Sequence, residues 1–350
     1  MRRMLLTSAA ALALLAGPAL AAGDTDINQS MGAVQDILNS VEVIHDTTTL
    51  TQHGTNLANV IDAAALDDVN QIIDGIVEQG VTNAMVSDGG TLNVVDQSAI
   101  NGANVLTADA ISTANQLAQL GFVQEVANTL AVGHGLNASV DHDALQSGVN
   151  MANIASLGTG TDVYQYGWGD QDIVNAALYT GPGTAGTFQN LTQEATNLTN
   201  VLTGTTVDDI AQDAYTFQVI DNGIVFGQGL SETTQAGTNL ANVVNLADTF
   251  DIVGQDALGT QTVTNNASYN GVGAGAVNGA IHGLGQRGVN GGNVLSAGTL
   301  PSISGVQEIT QNGTMVQTVS NTLTGMGATS GLTQAGTNIQ NVVSVITDTL

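Results

Sequence analysis

Polar and apolar positions alternate along most of this 350-residue chain, with Gln and Asn returning on one side of the alternation. In a strand, residues i, i+2 and i+4 project from one face. The phrase Gln-x-Gly-x-Asn therefore puts Gln, Gly and Asn on one face and turns the residues between them to the other. Val, Ile, Leu and Thr flank these markers, and the β-branched ones among them favour strands. Residues 255–265 and 311–321, for example, carry Val and Thr between their polar markers. Gly-rich or Asp-containing stretches such as 158–160 and 181–186 read as turns. Residues 65–81 carry a helix-like spacing, but Asn, Gly, Thr and Val are poor helix formers. The pattern predicts an all-β chain.

Aligned against itself, the chain repeats Gln-x-Gly-x-Asn-x-x-Asn-Val seven times. The copies begin at Gln52 (QHGTNLANV), Gln97 (QSAINGANV), Gln146 (QSGVNMANI), Gln193 (QEATNLTNV), Gln235 (QAGTNLANV), Gln286 (QRGVNGGNV) and Gln334 (QAGTNIQNV). Their Asn markers are Asn56, Asn101, Asn150, Asn197, Asn239, Asn290 and Asn338. The third position is glycine in five copies (Gly54, Gly148, Gly237, Gly288 and Gly336) and alanine in the other two. Between these copies lies a looser phrase, again with Gln four residues before Asn. Its members are Gln35 with Asn39, Gln79 with Asn83, Gln124 with Asn128, Gln171 with Asn175, Gln218 with Asn222, Gln261 with Asn265 and Gln317 with Asn321. Each has another Gln six or eight residues upstream, at Gln29, Gln71, Gln116, Gln165, Gln212, Gln255 and Gln311. The two phrases alternate without a miss, giving fourteen units with a mean spacing of 23 residues.

A period of 20 to 50 residues signals a solenoid, a propeller or an array. A propeller blade needs four strands and aromatic or Trp-Asp signatures that this chain lacks. About 23 residues accommodate two short strands and two bends, so the expected fold is a repeat β-solenoid of about fourteen units. One unit per rung would make fourteen rungs and a stack roughly 65 Å long. A pair of units per rung would make seven larger rungs of about 47 residues. In either case Gln stacks on Gln and Asn on Asn. Their amides both donate and accept, so a buried column can bond along the stack as in cross-β ladders. Glycine between Gln and Asn would let the facing layer approach closely.

Charge and composition narrow the function. Arg2 and Arg3, the apolar run from Met4 to Ala16 and the small-x-small site at 19–21 read as an export signal over residues 1–21. A single repeat domain over residues 22–350 follows. Its only basic side chain is Arg287, set against all 30 acidic residues, a formal charge of about −29. Such a surface repels nucleic acid and anionic lipid. No later segment reaches the roughly 18 apolar residues of a spanning helix. Cysteine is absent and aromatics make up 3%, so the core must be built from small and β-branched side chains.

The repeats resemble curlin repeats, the Gln/Asn/Gly repeats of curli-type functional amyloid subunits, most closely over residues 52–60, 235–243 and 334–342. Curlin repeats usually set Asn five residues after Gln, where this chain sets it at four. The resemblance implies polymerisation outside a Gram-negative cell, export through an outer-membrane pore, and a role in biofilm or attachment.

Catalytic chemistry finds little support. The five histidines, His45, His53, His134, His142 and His282, form no ligand spacing. Asp141-His142-Asp143, Asp67-Asp68 and Asp208-Asp209 read as solvated turns, and no metal or cofactor is expected. A sugar-lyase site would need cations to stabilise negative charge, and Arg287 stands alone. Residues 163–168 (VYQYGW) could meet a neutral sugar or simply fill an irregular rung. The expectation is a secreted, non-enzymatic fibre subunit whose partner is itself, with a nucleator or secretion pore left open. The alternatives are a monomeric β-solenoid adhesin and, last, a β-helix polysaccharide enzyme. Only Val343 to Leu350 follow the last phrase, with no visible cap, which favours the polymer.

Overall fold

The structure, a computed structural model, describes residues 26–32, 34–43, 47–75, 77–87, 91–132, 139–140, 143–179, 187–227, 229–269, 280–298, 308–325 and 327–345. The expected export signal lies outside them, as do His45, His134 and the Asp141-His142 pair. The described residues form fifteen strands and no helix: β1 (Ile27–Met31), β2 (Val34–Val43), β3 (Thr47–Ile73), β4 (Val77–Ser87), β5 (Thr91–Val132), β6 (Ser139–Val140), β7 (Ala144–Tyr179), β8 (Thr187–Gln189), β9 (Leu191–Phe226), β10 (Gly229–Leu246), β11 (Ile252–Tyr269), β12 (Ala280–Ala297), β13 (Glu308–Thr324), β14 (Thr329–Ser330) and β15 (Thr333–Val345). They pair in parallel, rung on rung, as a β-solenoid.

Like pairs with like. Gln52 lies beside Gln97 and Asn56 beside Asn101, while Gln35 lies beside Gln79 and Asn39 beside Asn83. One rung is therefore a pair of units. An A half bears the Gln-x-Gly-x-Asn phrase, and a B half with the looser phrase follows it. β5, β7 and β9 run through both halves as single bent strands. The described strands make six complete rungs, with a B half (β1–β2) before them and an A half (β15) after them. Of the two rung sizes the sequence allowed, the chain adopts the larger. Seven layers at about 4.8 Å give a stack of about 30 Å rather than 65 Å.

The reason lies in the second Asn of the A phrase. Asn59, Asn104, Asn153, Asn200, Asn242, Asn293 and Asn341 all take positive φ, between 51° and 56°. Asn tolerates this left-handed region better than other non-glycine residues. Each such residue turns the strand and shifts its alternation. In β7 the consecutive residues Ala152 and Asn153 are both buried, after which the in–out pattern resumes in the opposite phase. The B phrase has no such corner. A 23-residue rung would set every corner against a straight strand, whereas the 47-residue rung sets corner on corner. Rungs whose upstream Gln lies eight residues back, rather than six, carry the excess as a bulge, seen where β5 meets β7 between Ala118 and Phe122.

The two halves of a rung pack face to face. Val81, Val126, Ile173, Ile220 and Val263 form an aliphatic column in the B halves, together with Ala99 and Ala195 from the A halves. The five phrase glycines hold the same place as those two alanines. A Cβ on Gly237 would lie 2.5 Å from Val263 Cγ1, so the missing side chain is what admits the facing valine. Larger apolar clusters fill the two flanks of each rung, one around Leu106, Leu202 and Phe250, the other around Leu130, Phe188 and Phe226.

Candidate assembly surface

Each Gln and Asn singled out by spacing stands in a ladder of seven, one member per layer. Six bonds of 2.6–2.9 Å join the A-half glutamines from Gln52 to Gln334. Bonds of 2.9–3.1 Å join the A-half asparagines from Asn56 to Asn338. In the B halves, Gln35, Gln79, Gln124, Gln171, Gln218, Gln261 and Gln317 are joined at 2.7–2.9 Å. Beside them Asn39, Asn83, Asn128, Asn175, Asn222, Asn265 and Asn321 are joined at 2.8–2.9 Å.

The amides also tie the halves together. Gln146 Nε2 donates to the carbonyls of Asn128 and Ala176, 3.0 Å each, in the B halves of two successive rungs. The B-half asparagines reach across in the other direction. Asn83 donates to the Ser98 carbonyl, Asn175 to that of Glu194, Asn222 to that of Ala236 and Asn265 to that of Arg287, at 3.0–3.1 Å. Asn83, Asn175, Asn222 and Asn265 are all fully buried, so these are interior structural amides rather than groups that could meet a ligand. Among the described residues, the unpartnered buried polar side-chain atoms belong to Ser87, Asp96 and Thr216, and none is a ladder amide.

Two further ladders were visible in the sequence only as recurring letters. The upstream glutamines, Gln29 to Gln311, bond at 2.7–3.1 Å. The corner asparagines, Asn59 to Asn341, bond at 2.8–2.9 Å. The upstream Gln recurs in every looser phrase and the second Asn in every A phrase. Those recurrences were the available signal.

The six ladders have a direction. Every ladder Gln donates to the Gln of the preceding rung, and every ladder Asn donates to the Asn of the following one. At the N-terminal face, Gln29, Gln35 and Gln52 have no earlier rung among the described residues to donate to, and Asn39, Asn56 and Asn59 have none to accept from. At the C-terminal face the roles reverse. Among the described residues, the Oε1 atoms of Gln311, Gln317 and Gln334 have no later rung to accept from and Asn321, Asn338 and Asn341 none to donate to, although Asn321 and Asn338 each also donate to a carbonyl within the molecule, those of Ala335 and Gln317. On the outer face of the B halves, in the column that also holds Phe217, Val34 of the first layer is 58% and Val316 of the last 65% exposed, and Leu38 beside Val34 is 66% exposed.

Elsewhere the surface offers little convergent chemistry. Among the described residues no three His, Asp or Glu side chains gather to hold a metal. His53 meets Asp96 at 3.9 Å, and His282 contacts Ser330 at 2.7 Å. Carboxylates stack on carboxylates. Burial raises the pKa of Asp172, and Asp170 and Glu125 raise it further. Burial and then Asp256 raise that of Asp213, while burial and then Asp251, Asp209 and Asp162 raise that of Asp208. The aromatic stretch at 163–168 meets the next rung, with Trp168 and Tyr215 rings 5.6 Å apart. No helix among the described residues is long and apolar enough to cross a membrane.

Comparison with family models, with curated proteins and with solved structures gives no match for this chain.

Proposed function

We infer that this chain is a secreted structural subunit that polymerises end to end into extracellular, amyloid-like fibres serving a biofilm matrix or surface attachment. The observation that carries this reading is the direction of the amide ladders. One face of the solenoid offers Gln donors and Asn acceptors, and the other offers Gln acceptors and Asn donors. A second copy stacked in the same orientation satisfies both and keeps the parallel register in which Gln meets Gln and Asn meets Asn, a register that stacking of like ends would lose. Exposed strand edges are ready templates for a further chain, and the likeness to curlin repeats points the same way.

Sedimentation velocity on residues 22–350 tests the reading. Assembly should be slow at neutral pH and low salt, where the negative charge repels, and should accelerate at about pH 4.5 or in raised salt. A single monomeric species under every condition would defeat it. The adhesin alternative draws on one observation of its own, the side-facing aromatics Trp168, Tyr215 and the 52% exposed Phe217 on neighbouring rungs. A monomer that binds neutral glycans would support it.

A further inference from the structure

Among the described residues the two end layers are each half a rung: β1–β2 is a B half and β15 an A half. Resting on the polymer reading above, we propose that successive copies join by a lap joint in which β15 of one copy and β1–β2 of the next form the A and B halves of a single shared rung. β15 then pairs with β3 of the next copy, and β13 pairs with its β1 and β2.

Three separate features fit this register. The first is sequence phase. The strands brought together in the A half read QAGTNIQNV (from Gln334) and QHGTNLANV (from Gln52). In the B half, Gln29 and Gln35 are six residues apart, as are Gln311 and Gln317, while the rung next to Gln29 in its own chain spaces Gln71 and Gln79 by eight. The first half rung thus matches the far end of the molecule better than it matches its own neighbour. The second feature is apolar continuity. Ile37 and Val319 pack at opposite ends of the same aliphatic column, and the joint sets one on the other. It also sets the exposed Val316 on the exposed Val34. A cavity of about 320 Å³ on the C-terminal face, lined by Leu284, Asn321, Leu323, Leu332 and Gln334, lies where Val41 and Leu50 of the next copy arrive. The third feature is the amides. Gln29, Gln35 and Gln52 of the next copy donate to Gln311, Gln317 and Gln334, and Asn321, Asn338 and Asn341 donate back to Asn39, Asn56 and Asn59. All six ladders continue without a break.

The chain has no cysteine, so cross-links report the joint cleanly. Asp36→Cys with Thr318→Cys, both at exposed positions, places their Cα atoms about 4.8 Å apart across the joint, within disulfide reach. Assembled under oxidising conditions, this variant should run as a ladder of covalent multimers on a non-reducing gel. The pair Asp36→Cys with Asn312→Cys lies six residues out of register, about 20 Å along the strand, and should not cross-link. Fibres that form without the in-register ladder, or that link both pairs equally, overturn the joint and leave the polymer reading standing. An unmodified chain that never assembles defeats the polymer reading and the joint with it. If the cysteines themselves stop growth, images of the unmodified fibre decide: the joint requires seven rungs per subunit, about 34 Å, and any other count overturns it.

Discussion

A primary amide can be buried at little cost only when its two hydrogens and its oxygen all find partners; stacking identical amides satisfies one hydrogen and the oxygen by translation, and carbonyls across the rung take the other hydrogen. Gln146 shows what this implies for a single residue. It donates to Gln97, accepts from Gln193 and reaches two carbonyls across the rung. Gln146→Leu keeps the bulk but strands the amides on either side, so unfolding free energy should fall by about 2–5 kcal/mol, at roughly 1–3 kcal/mol per unsatisfied group. Urea unfolding with an unchanged m-value would check this. The corner residue Asn200 separates two effects. Asn200→Gly keeps the left-handed backbone and loses the bonds to Asn153, Asn242 and the Asp213 carbonyl. Asn200→Ala loses both, and should be less stable than the glycine variant by about 1–2 kcal/mol. Equal midpoints for the two variants would mean that the corner carries no conformational strain.

Along a strand, the repeat made the ladders legible because identical letters at constant phase are what a parallel in-register stack needs. Gln52, Gln97 and Gln146 could be aligned by eye, and they lie side by side. The same holds for Asn175, Asn222 and Asn265 in the B halves. The rung size was not legible, because both phrases share Gln-x-x-x-Asn and differ in a backbone angle. The second Asn marks an A half in the sequence but does not announce its own backbone angle, and it is the positive φ of Asn59 and its counterparts that requires corner to stack on corner. The place of the upstream Gln was hidden for a similar reason, since spacings of six and eight fit one register only after a bulge absorbs the excess. Packing between the halves was foreseen through glycine, and it gives a sharp contrast. Gly237→Val would drive two methyl groups into Val263 and Ile220 and should cost about 1–3 kcal/mol or more by overpacking. Gly285→Ala meets nothing within 4 Å and should be neutral or stabilising by about 0.4–1 kcal/mol. Thermal unfolding of the pair measures both, and a Gly237→Val variant as stable as the parent would show that the halves are not in close contact.

For the whole molecule, the stack that aligns amides also aligns carboxylates, and no lysine is present to offset them. The pKa values of Asp172, Asp208, Asp213 and Asp221 are raised above the ordinary 3.8, chiefly by burial. An acid with a raised folded-state pKa binds its proton more tightly when folded. Its contribution to stability is full below about 3.8 and is lost as pH climbs through the raised values. The solenoid should therefore gain stability as pH falls from 7 toward 4, the reverse of ordinary acid denaturation. A melting temperature that drops across that range would contradict the assignment. The proposed joint obeys the same sign, since its register sets Asp26 of one copy against Glu308 of another, a like-charge pair that acid relieves.

Fibre formation is the central claim, and X-ray fibre diffraction supported by electron microscopy tests it most directly. Residues 22–350, incubated in raised salt or at about pH 4.5 and compared with low ionic strength, where growth is slower, should give fibrils with a meridional reflection at about 4.7–4.8 Å. Soluble, monodisperse β-rich rods about 30 Å long under every condition would contradict the account and leave a monomeric solenoid whose side-facing aromatics become the surface to explain.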